Sequence, residues 1–413
     1  MAGGDGAGMG GGDVDGMAGG DGAGMGGGDV DGMAGGDGSG GTGGAEGGLP
    51  AGSNVVPVVV DQGPPAGGGG MFNIPYISVT ICVPGTTNCT TVDHVSVDTG
   101  STGLRLMASA LPANFALPAK NASDGNPLAE CFEFTSSFVW GSVRTADLKI
   151  GGETAGNVPF ELIGDPAYPN IPTACSSNGG TNENDVMSFG GNGIIGVNQW
   201  IYDCGDGCND LYYSCTGTTC SSFAIATADQ VPNPVTLFAA DNNGVILSFP
   251  TVPDDGQATL TGTLTFGIGT QSNNAIGSAT VLTTDANGDI ITSAPFATQS
   301  MPNSYIDSGN TDLVFDDSAL AICADDPFAY CPAAVTTLMA TNQGQNGISS
   351  SVSFKVASED SLFSNTNTAY DDLAGPLGDP TAFEWGFPFF IGRAVYVGFA
   401  LPSSATPNGY FAY

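Results

Sequence analysis

The sequence predicts a mainly β protein carried behind a glycine-rich acidic tail. Three observations lead there. From about Asn54 onward, short runs rich in Val, Ile, Thr and Phe alternate with Gly, Pro, Asn and Asp, the texture of strands separated by tight turns. Helical periodicity is weak and confined to short pieces such as DDSALAICA at 316–324. Residues 1–32 are a perfect duplication of MAGGDGAGMGGGDVDG, followed by the opening of a third copy.

The tail offers nothing to bury. Glycine has no side chain to pack and loses the most backbone freedom on ordering, so residues 1–53 are expected to form a disordered Gly/Asp-rich spacer. A calcium-binding solenoid needs an apolar residue in each nonapeptide turn, which this repeat lacks. The body is different. NVVPVVVDQG, PYISVTICV, DHVSVDTG, FVWGSVRTADLKIGG, GVILSFPTV, ATLTGTLTFGIG and SVSFKVAS all read as strands or hairpins. With 413 residues, 41% of them hydrophobic, there is material for two lobes; these are placed at 54–230 and 231–413.

Charge narrows the partners. Six Lys and Arg against 41 Asp and Glu give a net charge of -35, which repels nucleic-acid phosphates and anionic lipid. Nucleic-acid binding is therefore not expected. The longest apolar stretch, FEWGFPFFIGRAVYVGFALP at 383–402, approaches membrane-spanning length but contains Glu384, Arg393, two Pro and three Gly. It is read as core strands, with no transmembrane segment.

The ten cysteines point to disulfides in an oxidising compartment, with close pairs at Cys82 and Cys89 and at Cys323 and Cys331. Cys204, Cys208, Cys215 and Cys220 also admit a zinc reading. Their spacings do not make paired CxxC knuckles, and His94 is the only histidine, so disulfides are preferred, with connectivity open. The first residues show neither a basic n-region nor an apolar h-region, and the given start is read as truncated or misassigned for an exported protein.

Chemistry enters with two similar elements. HVSVDTGSTGLRL at 94–106 ends an alternating strand on Asp98 and follows it with Thr99, Gly100 and Ser101. About two hundred residues later NSYIDSGNTDLVF at 303–315 repeats the plan with Asp307, Ser308, Gly309 and Asn310. One such element arises easily by chance; two, each ending a strand and a lobe apart, carry far more weight.

These residues resemble the pepsin-like aspartic peptidases, in which each of two related β lobes contributes one Asp-Thr/Ser-Gly loop. NGIIGV at 192–197 and FEWGFPFFIGRAVYVGF at 383–399 resemble the family's elements that cross behind the two loops. NPVTLFAADNNGVILSFP, VPGTTNCTTVDHVSVDTGSTGLRL and WGFPFFIGR are further similar to a bacterial family of exported proteins with a Gly-rich segment after a lipoprotein-type signal. The resemblance implies a bilobal double β-barrel with a cleft between lobes and export to the periplasm, outer envelope or exterior. A lipid anchor upstream of the given start is compatible with it.

What it implies for the site is specific. Asp98 and Asp307 would be the catalytic pair, sharing one proton because two carboxylates about 3 Å apart cannot both ionise; this dyad is itself the standard illustration of that rule. Thr99 and Ser308 would bond across to the opposite loop, Gly100 and Gly309 would let backbone N–H groups approach, and Ser101 would bond the outer oxygen of Asp98. Asn310 stands where the family usually has Thr or Ser. A flap is expected in ECFEFTSSFVWGSVRTADLKIGG at 130–152, with its tip at Thr135–Ser137; the family's flap Tyr is missing, and Phe134, Phe138 and Trp140 are the candidates for an aromatic wall. Core packing is the competing account of all three.

Other readings of the same residues fare worse. GNGIIG at 191–196 fits GxGxxG, but a dinucleotide site needs a helix directly afterwards, and VNQWIYDCGDGCND is broken by glycine. His94 is read as structural. Arg105 and Arg393 are expected to pair with carboxylates near the lobe cores, a substrate-carboxylate role being the lesser reading. No cofactor or metal is expected. The reading is a monomeric aspartic endopeptidase acting on polypeptide; its alternative is a catalytically silent pepsin-fold surface or envelope protein that binds peptide or protein.

Overall fold

The computed structural model describes residues 54–413 except 178, 179, 207, 210 and 403. The repeat tail, read above as a spacer, lies outside the described residues. The rest is built from strands, with α-helices of only four residues, such as Val186–Phe189 and Glu359–Leu362.

The first half grows from the hairpin Tyr76–Cys82 and Cys89–Asp98, closed at its turn by the Cys82–Cys89 disulfide. Apolar residues at every second position of Tyr76–Cys82 point into the core and are buried, as a strand period of two requires. The long strands Ser137–Ile150 and Glu153–Ile163 form a second hairpin that pairs back onto the first through Thr80 and Lys149. Thr102–Met107 lies between Glu153–Ile163, to which it is parallel, and Gly193–Val197, to which it is antiparallel. Gly193–Val197 also pairs in parallel with the end of Cys89–Asp98, opposing Asp98 to Gly196.

The second half repeats this crossing. Glu384–Trp385 pairs in parallel with Met301–Ile306 and antiparallel with Leu313–Val314. The two halves share a sheet: Val55–Val60, Leu260–Phe266, Gly244–Ser248, Ala394–Gly398, Tyr410–Ala412 and Val281–Thr283 lie side by side in that order. The first strand of the body thus pairs with the second half of the chain, Val55 opposite Thr265, and its ladder with Tyr76–Cys82 is limited to Val59 opposite Tyr76.

The apolar stretch at 383–402 resolves into short core strands and a 3-10 turn at Phe387–Phe389; no helix among the described residues is long and apolar enough to cross a membrane. DDSALAICA is not helical. Ile322 instead bridges to Tyr330, and the Cys323–Cys331 disulfide closes the loop between them, a non-local constraint that overrides a weak period.

The ten cysteines form five disulfides. Cys204 joins Cys208 and Cys215 joins Cys220, so the zinc reading of these four is replaced by two small cross-linked loops. Cys131–Cys175, 44 residues apart, is the long closure. Chain entropy makes such a loop worth about 4 kcal/mol against about 2 kcal/mol for the two small ones, 4 and 5 residues apart.

Candidate active site

Strand pairing delivers Asp98 and Asp307 to the same place. Each ends a strand whose last residues are held from behind, Asp98 by Gly196 and Asp307 through its N–H to Trp385 O at 3.0 Å. The crossing segments come so close that side chains are excluded. A Cβ on Gly196 would stand 2.6 Å from the carbonyl carbon of Ser101, and one on Gly386 would stand 2.8 Å from Asn310 O, both well inside contact distance.

The two loops interlock. Thr99 Oγ1 donates to Ile306 O at 3.0 Å and accepts from Ser308 N–H at 2.9 Å. Ser308 Oγ donates to Val97 O at 2.7 Å and accepts from Thr99 N–H at 3.1 Å. Each hydroxyl therefore satisfies one donor and one acceptor of the opposite loop, and all four partners are buried. Each bond contributes about 1 kcal/mol net, but leaving any of these buried groups unpaired costs more.

Across this link the carboxylates converge. A Cβ on Gly100 would overlap the Asp307 carboxylate, and one on Gly309 would stand 2.6 Å from Asp98 Oδ1. Gly100 N–H donates to Asp98 Oδ1 at 2.6 Å and Gly309 N–H to Asp307 Oδ1 at 2.7 Å.

The outer oxygens differ. Ser101 Oγ donates to Asp98 Oδ2. Asp307 Oδ2 receives no hydrogen bond from hydroxyl, amide or backbone among the described residues, because Asn310 turns its side-chain oxygen to Asp312 N–H at 2.9 Å and its carbonyl to Phe387 N–H at 2.7 Å. Asn310 thus braces its own loop instead of the carboxylate.

Burial drives the Asp307 pKa well above the ordinary carboxylate range, and the charges of Asp98 and then Glu384 push the same way. A hydrogen bond between the two carboxyls exists only if one of them carries a proton, so the pair shares it. Both carboxylates are wholly shielded from solvent.

Three neighbours escaped the sequence reading. Glu384, buried one strand away from Asp307, was visible only as a charge inside an apolar stretch. Asn198 follows Gly193–Val197, accepts from Thr102 Oγ1 and donates to Gly100 O at 3.3 Å. Asn73 adopts φ 53°, a left-handed conformation that asparagine tolerates, and donates to Thr311 O at 2.7 Å while accepting from Tyr370 N–H at 2.8 Å. It ties the segment before the first hairpin to the second catalytic loop.

The hairpin expected as a flap forms, with Leu128–Glu133 and Ser137–Ile150 joined by a turn in which Phe134 N–H meets Ser137 O at 2.8 Å. Its aromatics face inward. Phe134 packs on Phe132 and Phe189, Phe138 is buried beside Trp140 and Tyr213, and the Trp140 indole donates to Tyr168 O at 2.9 Å. Packing, the competing account, explains all three. GNGIIG forms most of the strand Gly193–Val197 and is followed by a disulfide loop, with no helix directly after it among the described residues. His94 stacks edge-on against Tyr76 and lies 3.4 Å from both Asp61 and Asp93.

Arg105 is fully buried with Glu130 at 2.7 Å, Asp203 at 2.8 Å and Glu161 at 3.2 Å, as expected of a core ion cluster. Arg393 departs from that expectation and makes no ion pair among the described residues; it donates to Phe389 O at 2.6 Å and lies over the Phe389 ring.

Two β lobes, a mirrored pair of crossing strands and an interlocked Asp loop from each define the pepsin-like fold. The chain belongs to the family described as "Protein of unknown function (DUF3443)", whose model matches residues 50–413. Among solved structures, the crystal structure of the aspartic proteinase from Irpex lacteus is similar with a TM-score of 0.53, covering 87% of this chain and 96% of that one at 17% identity. A likeness at that identity shows the fold alone. No match is found among curated proteins.

Proposed function

We propose that the protein is an aspartic endopeptidase whose catalytic pair is Asp98 and Asp307. The observation that carries this reading is the reciprocal Thr99–Ser308 link, which holds the two loops so close that Gly100 and Gly309 admit no side chain against the opposing carboxyls. In such a pair the ionised carboxylate takes a proton from water held between the two groups, and that water attacks the peptide carbonyl. The protonated partner, Asp307, donates to the developing oxyanion. No side-chain nucleophile takes part. Thr99, Gly100, Ser101, Ser308 and Gly309 position the pair, and residues 54–230 and 231–413 supply the two walls of the cleft.

Digestion of an unfolded protein between pH 3 and 7 tests this, with and without pepstatin. Asp98→Asn is expected to lower cleavage by about 10³-fold or more, as removal of a group acting in a concerted pair does. Cleavage that survives the substitution removes the mechanism.

A second reading, a catalytically silent peptide binder of the same fold, is favoured by one specific feature: Asn310 leaves Asp307 Oδ2 without a donor. Binding of an extended peptide without cleavage at any pH in that range would establish it. For either function the five disulfides suit an exported protein, lipid-anchored or secreted, in a bacterial envelope, acting as a monomer on polypeptide.

A further inference from the structure

The second lobe holds a cavity of about 410 Å³ that neither catalytic aspartate lines. Its floor is apolar, formed by the buried side chains of Leu313, Phe354, Trp385 and Phe389. Lys355, Asp371 and Arg393 stand at its polar wall. Two of the chain's six cations thus meet at one aromatic-floored cavity.

Their pairing is what singles the site out. Arg105, Arg144, Lys120 and Lys355 each contact a carboxylate within 4 Å. With 41 acidic residues available, that is the default. Among the described residues Lys149 and Arg393 depart from it, and Lys149 is exposed to solvent; Arg393, half-buried, hydrogen-bonds a backbone carbonyl and lies over the Phe389 ring, 4.7 Å from the guanidinium. Asp371 faces the same cavity, yet its buried Oδ1 accepts no hydrogen bond. A planar guanidinium presents several N–H donors in a fork that fits a carboxylate; Asp371 attracts Arg393 across the cavity without an ion-pair contact, so the fork keeps donors that no carboxylate occupies.

We propose that this cavity binds an aromatic or bulky apolar carboxylate. The carboxylate would lie on Arg393 with Lys355 beside it, and the apolar body would lie against Phe354, Trp385 and Phe389. A cavity of this volume, with an apolar floor and convergent polar groups on its wall, suits a small ligand. The Asp371 carboxyl on the wall disfavours a dianion such as phosphate. Free aromatic acids and the C-terminal residue of a peptide share the required chemistry. The inference stands apart from the dyad and holds whether or not that pair cleaves peptide.

Calorimetric titration of the full chain with 3-phenylpropionate and its amide tests the proposal without any substitution. The acid is expected to bind at least tenfold more tightly than the amide. Arg393→Gln should weaken the acid at least tenfold and leave the amide unchanged, Ser353→Trp should block both from the exposed rim, and Asp307→Asn should change neither.

A tetrapeptide ending in Phe, with free or amidated C-terminus, separates the sources. Binding of the free-acid peptide, of the small acid or of both supports the site and identifies which source it takes. Equal binding of acid and amide, acid binding indifferent to Arg393→Gln, or no binding of either acid would overturn it, as would inorganic phosphate binding as well as 3-phenylpropionate.

Discussion

The two catalytic loops share a backbone frame and differ in what surrounds it. Asp98 accepts from Gly100 N–H and Ser101 Oγ, one donor for each oxygen, whereas among the described residues Asp307 has, besides its link to Asp98, Gly309 N–H alone and a buried glutamate nearby. The lobes behind them differ too. The first buries aliphatic residues such as Val95, Val97, Leu104 and Ile195 together with an arginine and three carboxylates. The second stacks Phe383 on Trp385 at 4.0 Å and on Phe315 at 4.7 Å. Duplicated geometry thus holds the pair in place, and unequal surroundings set its two members apart.

The largest test of this contrast compares the two buried arginines. Arg105→Met leaves Glu130, Glu161 and Asp203 without their cation, and removing one partner of a buried charge cluster costs about 3–5 kcal/mol at neutral pH. Arg393→Met breaks no ion-pair contact among the described residues, only a longer-range attraction to Asp371, and should cost well under half as much. The loss at Arg105 should shrink in acid. Burial first, then the neighbouring Glu130, raises the pKa of Glu161 and Asp203, so at low pH both bind protons and no longer need the arginine.

The unaltered protein should follow the same sign. Burial pushes Asp289, Glu359 and Asp372 up to about 7. A carboxyl raised on folding contributes stability that is complete below the ordinary carboxylate range and is lost as pH rises through the folded value. Thermal melts at pH 4, 5.5 and 7 should therefore show a falling Tm. Asp165, held below the usual range by hydrogen bonds from Arg144 and Ser142, acts in the opposite direction only at still lower pH. A Tm that climbs steadily to pH 7 would contradict this account.

A finer test restores symmetry. Asn310→Ser puts a hydroxyl where the first loop has Ser101, and a donor to Asp307 Oδ2 stabilises its charged form. The Asp307 pKa should fall. Because the protonated form is the one that supports the oxyanion, the alkaline limb of the cleavage profile should move to lower pH. The carboxyl ¹³C shift of Asp307 reports the same change without relying on activity.

The asymmetry was half legible in the sequence. The loops themselves were readable because each is a local motif: an alternating strand, Asp, hydroxyl, Gly. Asn310 was visible as a departure, but its orientation depends on Asp312 N–H two residues on, which a motif does not specify. Glu384 needed strand pairing to bring it beside Tyr305, and Cys131–Cys175 needed the fold to bring its ends together. Phe134, Phe138 and Trp140 show the same limit. Sequence places them on the hairpin, but the face they present is settled by Phe189, Tyr213 and Tyr168, all distant in the chain.

Glu384→Gln carries the comparison to its smallest expected effect. Glu384 contributes to the raised Asp307 pKa after burial and after Asp98, and an amide of the same shape removes that contribution with little change in packing. The Asp307 pKa should fall, moving the alkaline limb to lower pH by less than Asn310→Ser does, since a direct hydrogen bond acts at shorter range than a charge on the next strand. Both substitutions in one chain should move it further than either alone, with some departure from additivity because they act on one carboxyl. A limb that moves upward in Glu384→Gln would reverse the sign of the interaction, and the proton could no longer be placed on Asp307 by the charges behind it.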